Sequence, residues 1–234
     1  MAGKDSTTTT NKNNMIIEAK SVVENLMKTS SFQPLNEEEW HARERELLAR
    51  AQREKGIEYL AKSGIPARHR NIPPSELRGA PWLGLKSKIE ARLGDGIIVA
   101  LVGRRGTGKT QLAVEVAKVA AMAGKRPLYS TAMEFFISIK ECYREAGGSE
   151  RKVIETYSTP ALLVLDEVQE RGETLWEDRL LTHLVDRRYQ AQKDTILISN
   201  QTQEAFRESI GDSISSRIIE TGGVVVCNWD SYRK

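Results

Sequence analysis

The sequence predicts an α/β fold: a parallel sheet of five strands with helices on both faces. Three observations carry that prediction. From about residue 96 onward, apolar runs of strand length alternate with segments of helical spacing, and strands joined by helical crossovers run parallel. Two of those runs, over 161–165 and 195–199, are apolar almost throughout, as strands covered on both faces are. Between the first strand and the helix after it stands Gly103-Arg104-Arg105-Gly106-Thr107-Gly108-Lys109-Thr110, a glycine loop in a strand–loop–helix setting.

Taken in order, residues 1–14 are rich in Thr, Asn and Lys, with almost no apolar side chains; a disordered tail is expected. Met15, Ile16, Ala19, Val22, Val23, Leu26 and Met27 then fall at helical spacing, with Asn14 as N-cap. Asn36 followed by Glu37, Glu38 and Glu39 reads as a capping box, opening a charged helix to about residue 52 that continues toward 62. Helices this poor in apolar area make no robust core alone. Residues 15–63 are therefore expected to form a helical partner-binding region. Residues 64–81 are rich in Pro and Gly and read as a linker. Its basic part, Arg68-His69-Arg70, either lies over a bound base or is solvated. The main domain spans 82–234. Its strands are expected over 96–102, 128–131, 161–165, 195–199 and 222–228. Helices are expected over 111–120, 132–146, 150–158 and 173–192, with short ones over 87–93, 203–210 and 213–219.

Length and composition suit one α/β domain with a small appendage: 234 residues, 35 Lys and Arg against 32 Asp and Glu, net charge +3. The mild basic excess neither demands nor excludes nucleic acid. No run reaches the roughly 18 apolar residues of a membrane helix, and no signal peptide opens the chain, so a cytoplasmic protein without membrane attachment is expected. Cys142 and Cys227 are the two cysteines, far apart and without metal-type spacing.

The glycine loop reads G-x-x-x-x-G-K-[ST], the P-loop pattern. Glycines let a backbone wrap a phosphate chain and aim N–H groups at it, and a helix start adds a positive dipole end. Gly103, Arg104, Arg105, Gly106, Thr107 and Gly108 are thus candidate nucleotide contacts. Lys109 is placed to reach the β- and γ-phosphates, and Thr110 to offer its hydroxyl to Mg²⁺. The competing reading is a glycine turn that happens to precede a helix.

Asp166-Glu167 ends the apolar run 162–165. Carboxylates at the C-terminal end of a parallel strand face the ligand crevice of an open sheet. Asp166 would hold Mg²⁺ beside the nucleotide, and Glu167 would polarise a water for attack on the γ-phosphate. Asn200 ends the next strand and is placed to orient that water; it could equally cap the following helix, and the two roles can coexist. Arg217, in a late polar segment, is placed to complete a neighbouring subunit's site; otherwise it is a surface arginine in a salt bridge. Arg187 and Arg188 are weaker candidates for the same interface.

Together these motifs resemble an AAA+ ATPase. Cys227-Asn228-Trp229-Asp230-Ser231-Tyr232-Arg233, Gly64-Ile65-Pro66-Ala67-Arg68-His69-Arg70 and Asp186-Arg187-Arg188-Tyr189 resemble DnaC-type replicative helicase loaders over roughly residues 60–234. The resemblance implies an ATP- and Mg²⁺-dependent ATPase that binds a hexameric DnaB-type helicase and places it on single-stranded DNA. It implies self-assembly into a homo-oligomer, six subunits in a helical arrangement, in a bacterial cytoplasm, with chromosomal or phage origin open. It also implies a DNA-binding helix after the second strand, here with Phe135, Phe136, Lys140, Tyr143 and Arg144, although Phe136 and Tyr143 equally suit a core. Against the pattern of full AAA+ proteins, no C-terminal helical lid is expected after the last strand. An IstB-like transposition helper on duplex DNA and a nucleotide-switched adaptor are the alternatives.

Overall fold

The computed structural model describes residues 36–72, 79–172 and 174–232. The chain divides into two units, 1–48 and 49–234. Of the first, the described part is the opening of helix α1 (Glu37–Ala61). The Asn36 side chain accepts from the Glu39 N–H, and the Glu39 carboxylate accepts from the Asn36 N–H, each at 2.9 Å. The capping box read from the sequence is therefore formed. Trp40, Leu47 and Leu48 are exposed on this segment. The expected tail 1–14 and helix 15–27 lie outside the described residues.

The second unit holds five strands: β1 (Ile98–Val102), β2 (Pro127–Thr131), β3 (Leu162–Asp166), β4 (Asp194–Ile198) and β5 (Gly223–Val226). They form one sheet in the order β2-β3-β4-β1-β5, and every pairing is parallel. All five strands therefore end at the same edge, where the P-loop follows β1, Asp166 closes β3 and Asn200 follows β4. Around the sheet lie α2 (Ala67–Arg70), α3 (Ala80–Glu90), α4 (Lys109–Met122), α5 (Ala132–Cys142), α6 (Glu150–Ser158), α7 (Leu175–Gln190) and α8 (Gln203–Thr221).

Strand side chains alternate between faces, and the core divides accordingly. Ile98, Ala100, Val102, Leu163, Leu165 and Leu197 pack with side chains of α5, α6, α7 and α8. Val99, Leu101, Leu162, Val164, Ile196 and Ile198 pack on the other face, mostly with α4 and Trp82 of α3. Helices on both faces, as the apolar runs imply, follow from the full burial of β1, β3 and β4.

The elements differ from the expected ones in particular places. The two late helices run together as α8, but Gly211 at φ 78°, ψ 161° breaks the run between them. Helix α7 starts after Thr174, whose hydroxyl accepts from the Glu177 N–H. The compact unit begins at Ala49, so residues 49–72, divided by the sequence into appendage and linker at 63/64, pack on the sheet domain. Gln52 donates to the Met122 carbonyl at 2.9 Å. Gly56 is buried where a Cβ would lie 2.9 Å from the Ala121 oxygen. The Tyr129 N–H donates to Ser63 O at 2.7 Å, and Ile65 is in the core. A few close backbone contacts do here what a sparse apolar pattern did not announce.

Arg188, considered above for a subunit interface, is instead fully buried. Its guanidinium donates to the carbonyls of Tyr157, Ser158, Pro160 and Asp194 and to Thr195 Oγ1. It thereby ties the turn before β3 to β4. Burial pushes its pKa down to about 9.

Candidate active site

Strand β1 delivers the chain into the P-loop at Gly103, whose φ of 124° lies in a region other residues avoid. A Cβ there would also lie 2.6 Å from the Cys227 oxygen. The loop closes at Gly108 (φ 81°), which caps α4. Lys109, 4% exposed, donates from its ammonium to the carbonyls of Gly103 and Arg104 at 2.6 and 2.8 Å. The Thr107 hydroxyl donates to the Arg104 carbonyl at 3.1 Å. Arg105 is exposed and pairs with Glu170 at 3.1 Å.

Asp166, at the end of β3, is 4% exposed and has three donors. Thr110 Oγ1 and the Tyr129 hydroxyl both donate to Oδ2 at 2.8 Å, and the Glu167 N–H donates to Oδ1 at 2.8 Å. Burial, and then the Asp166 charge, hold the Tyr129 hydroxyl well above the usual phenol pKa. Glu167 follows at φ 55°, a left-handed conformation that costs about 1 kcal/mol or more in a residue with a side chain. Its side chain is exposed and lines the cleft. Asn200 lies after β4, its N–H donating to Gln169 Oε1 at 3.1 Å. It is not the helix cap: Thr202 fills that position, accepting from the Ala205 N–H.

These groups surround one cleft of about 560 Å³. Arg105, Gly106, Gly108, Lys109 and Thr110 line one side, with Asp166, Glu167 and Asn200 beside them. Pro66, Arg68, His69 and Ile72 form another wall. That wall is fixed to α4: His69 Nδ1 donates to Gln111 Oε1 at 2.9 Å, and Gln111 Nε2 donates back to the His69 carbonyl at 3.3 Å. The basic segment thus borders the cleft, with Arg68 and Arg70 exposed. Gly103, Arg104 and Thr107 line a neighbouring cleft of about 540 Å³, on the side of residues 226–231.

Two groups of candidates lie elsewhere. Arg217, on α8 beyond the Gly211 break, pairs with Asp186 at 2.8 Å and donates to the Ser213 carbonyl at 2.6 Å; it is not among the residues lining the cleft. Phe135 and Phe136, expected to stack on DNA, are 0% and 1% exposed. They pack against each other and, at 4.8 and 6.0 Å between ring centroids, against Tyr157 and Trp176. That expectation is corrected: the apolar stripe of α5 faces the sheet and takes both rings into the core. Lys140, Tyr143 and Arg144 remain on the surface. Lys140 sits 5.3 Å from the Trp176 ring centroid, and Tyr143 donates to Glu150.

Tyr129 and Gln111 belong to the site and were not singled out from the sequence. Tyr129 could have been: it is the one phenol in the strand beside Asp166's. Trp82 and Trp229 also touch the site, each donating an indole N–H to a P-loop carbonyl.

Comparison with known proteins follows the same lines. Residues 41–234 match the family described as IstB-like ATP binding protein. The replicative helicase loader DnaC of Escherichia coli strain K12 is 30% identical over 142 residues, 59% of this chain and 58% of that protein. The loader DnaC of Buchnera aphidicola subsp. Baizongia pistaciae is 28% identical over 134 residues, 56% and 54% of the two chains. The chain thus spans a little over half the length of these curated relatives. Among solved structures, the DnaC helicase loader superposes with a TM-score of 0.60 at 20% identity, covering 69% of this chain and 99% of that one. AMPPCP-bound DnaA from Aquifex aeolicus gives 0.53 at 25% identity, covering 62% and 45%. This chain belongs to the family of IstB-like ATP binding proteins, and its fold is the one seen in DnaC and DnaA.

Proposed function

We propose that this chain binds and hydrolyses ATP with Mg²⁺, and uses that cycle to place a hexameric DnaB-type replicative helicase on single-stranded DNA. The observation that carries the reading is the convergence of Lys109, Thr110, Asp166, Glu167 and Asn200 on one cleft. Lys109 and the α4 N-terminus supply positive charge where the terminal phosphates bind. Thr110 and Asp166 would hold Mg²⁺, which neutralises charge between the β- and γ-phosphates. They fit it: a hydroxyl and a carboxylate 2.8 Å apart are hard oxygen donors. Among the described residues no group of three His, Cys, Asp or Glu could hold a metal; a Mg²⁺ site needs none, since water and phosphate oxygens complete it. Glu167 takes the proton from the attacking water, which Asn200 orients. Arg217 of a neighbouring copy stabilises the transferring phosphoryl group, in a helical assembly of six subunits.

The loader reading is supported by the DnaC relatives. Residues 15–63 contact the helicase, and Lys140, Tyr143 and Arg144, still exposed on α5 and just after it, contact DNA. Mg²⁺ and ATP turnover then release the loader. The setting is a bacterial cytoplasm. A second reading, a transposition helper assembling on duplex DNA, draws on the IstB-like family match. Affinity capture from the source cells, with and without ATP, separates them. Recovery of a replicative helicase supports the loader. Nucleotide-dependent filaments on duplex DNA, without helicase, support the helper and overturn the loader. Helicase loading at full rate by a hydrolysis-dead variant would favour a nucleotide-switched adaptor.

A further inference from the structure

We infer that residues 227–232, with Trp82 of α3, form a strap that sets the phosphate-binding conformation of the P-loop, and that Trp229 is a positioning residue for nucleotide binding. The inference rests on the nucleotide-binding reading above and assigns a role to a segment that reading does not use. Three consecutive loop carbonyls each accept a hydrogen bond from outside the loop. Gly106 O takes the Tyr232 N–H at 2.9 Å, Thr107 O takes the Trp229 indole N–H at 2.7 Å, and Gly108 O takes the Trp82 indole N–H at 3.1 Å.

The consequence follows from peptide geometry. A trans peptide is planar, so a carbonyl and the N–H of the next residue point in opposite directions. No cis peptide occurs among the described residues. Carbonyls drawn toward the strap turn the N–H groups of Thr107, Gly108 and Lys109 away from it. Successive N–H groups facing one way make an anion-binding nest, here at the N-terminus of α4. Gly108 O also accepts the Leu112 N–H at 2.8 Å, so both of its lone pairs are engaged. With its carbonyls held, the loop has little freedom to turn a peptide over.

Packing supports the same role. A Cβ on Gly108 would lie 3.2 Å from Trp82 Nε1 and 3.4 Å from Tyr232 Cδ2, and one on Gly103 would lie 2.6 Å from Cys227 O. The motif's first and last glycines are thus required by the strap as well as by backbone conformation. Trp229 and Tyr232 are half-buried, packed on the core beneath the P-loop. Linkage is reciprocal: a strap that orders the nest is itself held more tightly when a phosphate chain occupies it.

The test uses the full chain and Trp229→Phe, which keeps an aromatic ring and deletes the N–H donor. Binding of ADP labelled with a fluorescent methylanthraniloyl group is titrated, and amide hydrogen exchange is followed over 103–109 and 227–232. Trp229→Phe is expected to weaken ADP about fivefold, the scale of one hydrogen bond, and to speed exchange over 103–109. Its thermal midpoint without nucleotide should stay within about 2 °C of the parent, since one half-exposed donor carries little stability. In the unmodified chain, ADP is expected to slow exchange over 227–232, a readout that needs no variant. Unaltered ADP affinity and loop exchange in Trp229→Phe, or ADP without effect on 227–232, overturns the strap while leaving the nucleotide site standing. An unmodified chain that takes up no ADP overturns both.

Discussion

The Tyr129 hydroxyl lies 2.8 Å from Asp166 Oδ2, the oxygen that the Thr110 hydroxyl also reaches. Strand β2, strand β3 and helix α4 therefore meet on one carboxylate oxygen. Tyr129→Phe removes one of three donors to Asp166 and leaves the ring. We expect ATP turnover to fall about three- to tenfold, ATP affinity to hold within about twofold, and stability to drop by about 1 kcal/mol. Steady-state phosphate release, nucleotide titration and urea unfolding check the three parts.

Lys109→Ala and Glu167→Gln should separate binding from chemistry. Loss of the buried ammonium removes the charge at the phosphates, so Lys109→Ala is expected to abolish detectable ATP binding. Glu167→Gln keeps the cleft's shape and loses the base; binding persists while turnover falls about 100-fold or more. Normal hydrolysis by Glu167→Gln would move the base to another group.

Arg217 is paired with Asp186 on its own subunit. If it serves a neighbour, Arg217→Ala should lose about 10³ in hydrolysis with ATP affinity nearly unchanged. Mixing Arg217→Ala with Lys109→Ala should then restore part of the activity, since some interfaces pair an intact loop with an intact arginine. No recovery in the mixture would count against action between subunits.

Arg188 has no solvent exposure, and four backbone carbonyls depend on it. Arg188→Leu strands those acceptors in the core, and we expect a loss of about 3–5 kcal/mol. Arg188→Lys, with one centre of charge for a fork of donors, should recover only part. The urea midpoint is the measure.

The Cys227 thiol is buried beside the P-loop, and burial pushes its pKa up to about 11. The thiolate is the reactive form. In the folded chain, labelling of Cys227 should be slow at pH 8 and keep rising with pH toward 11. In urea the rate should level off near pH 9, the ordinary thiol range. A Cys142→Ala background assigns the signal to Cys227, and a folded-state plateau near pH 9 would contradict the assignment.

Sequence periodicity and motif spacing carried most of the architecture. Strands β1, β3 and β4 are buried on both faces, and the order of the five strands with helices between them left few topologies. Lys109, Thr110 and Asp166 were legible because a phosphate loop and a strand-end acid each need a fixed residue type at a fixed spacing. Three things were not. Phe135 and Phe136 sit in a helix whose polar and apolar faces both carry aromatic or basic residues, and adjacent rings do not say which way they turn. Arg188 looks like any charge on an amphipathic helix, because the five acceptors around it come from two separate stretches, 157–160 and 194–195. The bracing of the P-loop by Trp82 and Trp229 joins residues 26 and 122 positions away from their partners, through backbone oxygens that leave no trace in side-chain spacing.

One border of the sheet has a bearing on how copies of this chain can meet. Outward from β2, Pro127 has no N–H to offer, the Tyr129 N–H is taken by Ser63, and the Thr131 N–H is taken by the Glu134 carboxylate. A foreign strand arriving there finds no donor with which to pair, which is the protection an edge needs against fibril-type growth. The opposite border is a strand of four residues. If copies of this chain assemble as proposed, the β2 border leaves helices and loops, the parts that can change with a bound nucleotide, to join them.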